Sequence, residues 1–257
     1  MFRPRVIPVL LLKNQSLVKS VGFKKHKYIG DPINAVRIFN EMYADELVFL
    51  DILATREKRL VSLDFVNEVG EEANMPFSVG GGIKTLDDIR KIIAAGAEKV
   101  IIGTHAAEDP EFIRRASDAF GSSTIVVCID IKNKFLGGKE IRIRNASLPV
   151  KFPYLEFTSL MEKNGAGELI IQSVDRDGTM KGYDLDLIRA ISERVTIPVV
   201  ALGGAGNMLH MQDAYKYAYA TGLAGGSIFV YHGGMNGVLI NYPERNEIQD
   251  MRTGFDE

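Results

Sequence analysis

One segment of this chain is used twice. PFSVGGG at 76–82 returns as PVVALGG at 198–204, a shift of 122 positions. Without a gap, the same shift lays Gly225-Gly226-Ser227 over Gly103-Thr104-His105 and Ala166-Gly167-Glu168-Leu169 over Ala44-Asp45-Glu46-Leu47. A shift of 119 places IVVCIDIK (125–132) over VIPVLLLK (6–13). Each copy holds about four strand–helix pairs, so the pattern predicts a (β/α)8 TIM barrel built from two half-barrel repeats. The 257 residues agree with the ~250 of a typical barrel. No composition break interrupts them, so 1–257 reads as a single barrel domain whose last ~20 residues, from Gly233 on, form a tail with an acidic, frayed end.

The repeated unit has a local grammar. Phe77-Ser78-Val79 is a short apolar strand that stops at glycines. Thr85 with Asp88 three residues on is a helix start, and Ile89, Ile92 and Ile93 recur at helical spacing before Gly96. Val100-Ile101-Ile102 is the next strand, with Gly103-Thr104 at its carboxyl end. Gly81, Gly82, Gly103 and Thr104 in one copy, and Gly203, Gly204, Gly226 and Ser227 in the other, therefore offer bare N–H groups and a hydroxyl above fresh helix starts, which suits phosphate. A single glycine run is more simply a βα turn. Two copies in register point to a ligand with a phosphate at each end, such as a phosphorylated sugar.

Net charge is −2 with both signs interspersed, which gives no footprint for nucleic acid. No apolar run nears the ~20 residues of a membrane span. The start MFRPRVIPVLLLKN reads as a first strand rather than a signal peptide, and a cytoplasmic protein is the expectation. The lone Cys128 reads as an inert core thiol. His26, His105, His210 and His232 lack ligand spacing, so neither a metal nor another cofactor is expected. Met208, Met211 and Tyr215 follow helical spacing and read as core.

In such a barrel the residues at the carboxyl ends of the strands face the site. These are Leu11, Asp51, Asp130, Gln172 and Ser173, with Asp177 on a turn-rich loop; Asp51 and Asp130 are the acids of the floor, suited to proton transfer. Residues 13–30, rich in lysine, read as a long polar loop, either a lid or a solvated segment. The alternation within 133–154 predicts a small hairpin after strand five.

The words ADELVFLDI, VGGGI, GAEKV, CIDIK, GAGE, DRDGTMKGYDL and IPVVALGGAG, with an early GDP, resemble HisF, the cyclase subunit of imidazole glycerol phosphate synthase, from Arg5 to about His232. The resemblance implies a barrel that works with a glutaminase subunit, takes ammonia through its N-terminal face and reacts it with a bisphosphate at the other end. It carries phosphate contacts to Gly81, Gly82, Thr104, Asp177, Gly178, Gly203, Gly204 and Ser227, and a ligand-contacting lysine to Lys19. Asp130 matches one of two catalytic aspartates. The other belongs at the end of strand one, where this chain has Leu11, and the shift of 119 independently sets Leu11 opposite Asp130. Gln172 also departs from the family threonine.

On the opposite face the family's charged ring is complete as Arg5, Glu46, Lys99 and Glu168, with Glu98 matching an acid that faces the glutaminase. Such a ring either gates ammonia or only closes the barrel end. RVIPVLLLKN and VLINYP resemble the second HisF-like (WbuZ-type) group found with surface-polysaccharide genes. That group implies ammonia supplied to a sugar amidotransferase, with little cyclase activity. Three readings stand: an ammonia-handling subunit, an authentic cyclase working with Asp130 alone, and a non-catalytic phosphate-binding scaffold.

Overall fold

A computed structural model describes residues 4–233 and 236–253. Eight parallel strands close on themselves: β1 (Arg5–Lys13), β2 (Leu47–Asp51), β3 (Phe77–Gly80), β4 (Lys99–Ile102), β5 (Ile125–Asn133), β6 (Glu168–Ser173), β7 (Val199–Leu202) and β8 (Gly222–Gly225). Each pairs with the next, and β8 returns to β1, with Arg5 beside Gly222. Helices α1 (Pro32–Glu41), α2 (Leu63–Glu72), α3 (Leu86–Ala94), α4 (Glu111–Phe120), α5 (Tyr154–Lys163), α6 (Leu185–Ser192) and α7 (Met208–Ala218) alternate with them, and α8 (Arg245–Thr253) follows β8. This is the (β/α)8 barrel that the repeat predicts.

Alternation along the strands builds two cores. β1 sends Ile7, Val9 and Leu11 into the barrel, where they meet Val48, Ile101, Val126, Ile170 and Val200. Its Val6, Leu10 and Leu12 face outward with Phe39, Phe49, Phe112 and Phe229 against the helices. Full burial of each such side chain contributes ~1.5–3 kcal/mol. The helices start where the sequence says. Thr85 and Asp88 form the reciprocal capping box of α3, Asp31 caps α1 with Pro32 behind it, and Asn207 caps α7. Met211 is fully buried, with Met208 and Tyr215 packed beside the core.

Both half-barrels open with a nine-residue strand that runs on into an antiparallel hairpin. After β5 the hairpin is Lys139–Ile143 with Leu148–Val150, as the alternation predicts. After β1, residues 13–30 are a hairpin too, Ser16–Val21 with Lys24–Gly30, rather than a loop. Its lysines mask the apolar Leu17, Val18 and Ile29, which are buried. The segment beyond Gly233 also differs from expectation. The Tyr242 hydroxyl donates to Val6 O (3.0 Å) and accepts from Asp45 N–H (3.1 Å), and Ile248 and Met251 of α8 join the core. The acidic end expected to fray, after 253, lies outside the described residues. Among the described residues no helix is long and apolar enough to cross a membrane.

Candidate functional site

A cavity opens at the carboxyl ends of the strands. Leu11, Lys19, Asp51, Gly81, Gly82, Gly103, Thr104, Asp130, Gln172, Asp177, Gly178, Gly203, Gly204, Gly226 and Ser227 all line it. Ser173 does not: it is buried behind Gly203, because alternation along β6 turns it away when Gln172 faces in.

The two glycine seats are alike in construction. Gly82 has φ +73°, and a Cβ there would meet Arg59 O at 1.9 Å; Gly204 has φ +109°, and a Cβ would meet Gly182 O at 2.1 Å. Only glycine fits either turn. In the first seat the Thr104 hydroxyl accepts the Arg144 N–H (3.1 Å). In the second, the Ser227 Oγ is buried and has no hydrogen-bond partner among the described residues. An orphaned buried hydroxyl is costly, and an oxyanion supplies the acceptor it lacks. The stem of Lys19 lies against Gly226, and its ammonium bonds Asp177 Oδ1 (3.0 Å) and Ser20 O (3.1 Å). Asp177 also accepts from Ser20 Oγ (3.0 Å) and from Phe23 N–H (3.2 Å), so it ties the first hairpin down over the cavity.

The floor acids separate on inspection. Asp51 Oδ1 accepts from the N–H groups of Leu53 and Ala54, and its Oδ2 pairs with Arg59 at 2.6 Å. These contacts tie its carboxylate to the turn after β2 and to Arg59 while it lines the cavity. Asp130 accepts no hydrogen bond from any described residue. Burial, with the charge of Asp177 as the lesser cause, pushes its carboxyl up to about 7. Leu11, like Leu50 and Cys128, packs against the apolar column that fills the barrel. The cavity's other acids, Asp51 and Asp177, are both paired, with Arg59 and Lys19, so no free carboxylate stands beside Leu11 among the described residues. Cys128 packs against the inner core and also lines the cavity wall; burial first, then Asp130, raises its thiol far above the usual range. Among the described residues, no three His, Cys, Asp or Glu are arranged to hold a metal ion.

At the N-terminal end the four ring residues meet. Arg5 pairs with both Glu46 and Glu168, while Lys99 Nζ lies 3.2 Å from Glu46 Oε1 and 2.9 Å from Glu168 Oε2. Burial works against the Arg5 charge, but Glu168 and then Glu46 outweigh it, and its pKa stands raised. Ser78, which the sequence did not flag, donates to Glu46 Oε1 (2.9 Å). Glu98 stands exposed next to the ring. His26, His105, Arg142 and Asn145 also line the cavity without having been foreseen. For Arg142 the signal was available: pairing the hairpin's alternation onto β5 sets it beside Asp130.

Fold and site together define a closed (β/α)8 barrel with an anion-suited cavity at one end and a charged ring at the other. The family model described as "Histidine biosynthesis protein" matches residues 5–236, and the chain belongs to that family. Within it the similarity is to HisF-like subunits of imidazole glycerol phosphate synthase. One is the protein carrying the name subunit hisF2 provisionally in Pseudomonas aeruginosa, 45% identical over 96% of this chain and 99% of that relative. A provisionally named HisF of Leptospira borgpetersenii is 42% identical, covering 95% and 96%. The imidazole glycerol phosphate synthase subunit HisF of Methanococcus maripaludis is 39% identical, covering 96% and 98%.

Proposed function

We propose that this chain is a HisF-like synthase subunit that receives ammonia from a glutaminase through the Arg5–Glu46–Lys99–Glu168 ring and delivers it to a phosphorylated ligand held between the glycine seats. Its own cyclase chemistry is reduced or absent. The observation that carries this is Leu11: one of two proton-transferring positions is an isobutyl group packed against the barrel's apolar column, and Asp130 stands without an acidic counterpart. A positioned acid or base contributes ~10²–10⁴-fold, so its loss removes most of a cyclisation rate. The orphaned Ser227 hydroxyl and the two matched glycine turns support a ligand with two phosphates. The barrel interior between ring and cavity is packed with apolar side chains, so passage of a small neutral molecule requires them to move. In this reading the product serves amidation of a surface-polysaccharide sugar, with a sugar amidotransferase as third partner.

The test is Leu11→Asp, assayed with the cognate glutaminase on the bisphosphate substrate of imidazole glycerol phosphate synthase. Cyclisation should rise at least tenfold over wild type. Robust wild-type turnover that Leu11→Asp fails to improve would sink the reading. It would favour the second, an authentic cyclase in histidine biosynthesis, which the raised carboxyl of Asp130 supports: a group near 7 is able both to give and to take a proton at neutral pH. The third, a non-catalytic scaffold, predicts ligand binding with no effect on the glutaminase.

A further inference from the structure

The hairpin after β5 brings a second arginine-bearing wall to the cavity. Arg142 stands in register beside Asp130 and forms part of the lining. Its Nε is buried and lies 2.8 Å from Glu140 Oε1, yet is not aligned to make the hydrogen bond. No described residue accepts from its Nη1 or Nη2. A guanidinium has five donors in a rigid fork, matched to a carboxylate or a phosphate, and here that fork is unfilled by protein. Asp130 is not its partner: the two share a register position, yet Arg142 makes its ion pair with Glu140.

The support under Arg142 is firm. At the hairpin tip, Arg144 N–H donates to Thr104 Oγ1 (3.1 Å) and its guanidinium pairs with Glu108 (2.7 Å). Asn145 Nδ2 donates to Ile52 O at 2.7 Å. The tip is thus fastened to the loops after β2 and β4, and Arg142 is held over the cavity by its own strand.

We propose that Arg142 is a specificity-determining residue, which binds an oxyanion of the ligand beside Asp130 and gives up its poorly aligned contact with Glu140 to do so. This rests on the reading of the cavity as a site for a phosphorylated ligand. The oxyanion is either an edge of one of the ligand's two end phosphates, reached from beside its glycine seat, or a carboxylate. Three probes separate the cases by calorimetry: inorganic phosphate, fructose 1,6-bisphosphate and 3-phosphoglycerate. Arg142→Ala and Arg142→Gln should lose about tenfold or more affinity for whichever two-ended probe Arg142 grips, with Arg142→Lys intermediate. Inorganic phosphate, which a glycine seat takes alone, should change less than twofold. Equal binding of all three probes by wild type and variants overturns the proposal. So does an equal loss for inorganic phosphate, which would make Arg142 part of a seat. If Arg142→Ala does not fold, Arg142→Gln and Arg142→Lys decide. Gly204→Ala, run in parallel, tests the seats themselves. Should it bind as wild type, or should wild type bind no probe, the reading of the cavity fails and this inference goes with it; should Gly204→Ala lose binding while the Arg142 variants do not, only this inference fails.

Discussion

Leu11 and Asp130 hold corresponding places on the first strands of the two halves, yet one is apolar and packed while the other is a half-buried acid with no hydrogen-bonded partner among the described residues. That difference has a consequence for stability. An ordinary Asp titrates near ~3.9, and Asp130 near 7, so the folded state holds its proton more tightly than the unfolded chain. Its contribution to stability is full below pH ~4, is lost as pH rises towards 7, and stays lost above. Asp130→Asn should therefore raise the melting midpoint at pH 8 and leave it nearly unchanged at pH 4. Scanning calorimetry at both pH values checks this, and an equal shift at the two would contradict it. Gly204→Ala is a second residue-scale expectation: its Cβ would meet backbone at 2.1 Å, so the β7 turn must shift and phosphate binding should fall steeply by calorimetry.

The hairpins decide what the cavity sees. The one after β1 carries Lys19 and is fastened by Asp177; the one after β5 carries Arg142 and is fastened by Arg144 and Asn145. The second bends through three successive residues at positive φ, Arg144 (54°), Asn145 (55°) and Ala146 (58°). Alanine in this region is strained, so Ala146→Gly should raise unfolding stability by ~0.5–1 kcal/mol in a denaturant titration, the relief being partly offset in the unfolded chain. Thr85→Ala removes one half of the α3 capping box and should cost ~1 kcal/mol in the same experiment. The hairpin after β5 was legible from its alternation. Its twin was not, because five lysines hide a pattern in which the partner strands, not the composition, bury Leu17 and Val18.

Across the whole molecule, the barrel is closed at its N-terminal end by charge and at its outer wall by the last helix. In the ring each acid touches both cations, so removing one member strands the others in a mostly buried place. Glu168→Ala should cost ~3 kcal/mol, measured by chemical denaturation, and more than any loss at the exposed Glu98. Tyr242→Phe deletes the hydroxyl that joins the segment before α8 to Val6 and Asp45, and should cost ~1–3 kcal/mol.

The chain's own letters determined the barrel, because a duplicated strand–glycine–helix unit encodes local periodicity and turn geometry that no distant contact has to supply. The same letters marked both glycine seats, the four ring residues and the absent acid at position 11. Only the folded arrangement decided which acids are free. Asp51 is committed to Arg59, Asp177 to a lysine 158 positions away, and Asp130 to no described residue. Hydrogen-bond satisfaction and desolvation depend on neighbours brought together by closure of the sheet, and sequence spacing does not contain them. For that reason the contact of Ser78 with Glu46 and the orphaned hydroxyl of Ser227 emerge only once the eight strands meet.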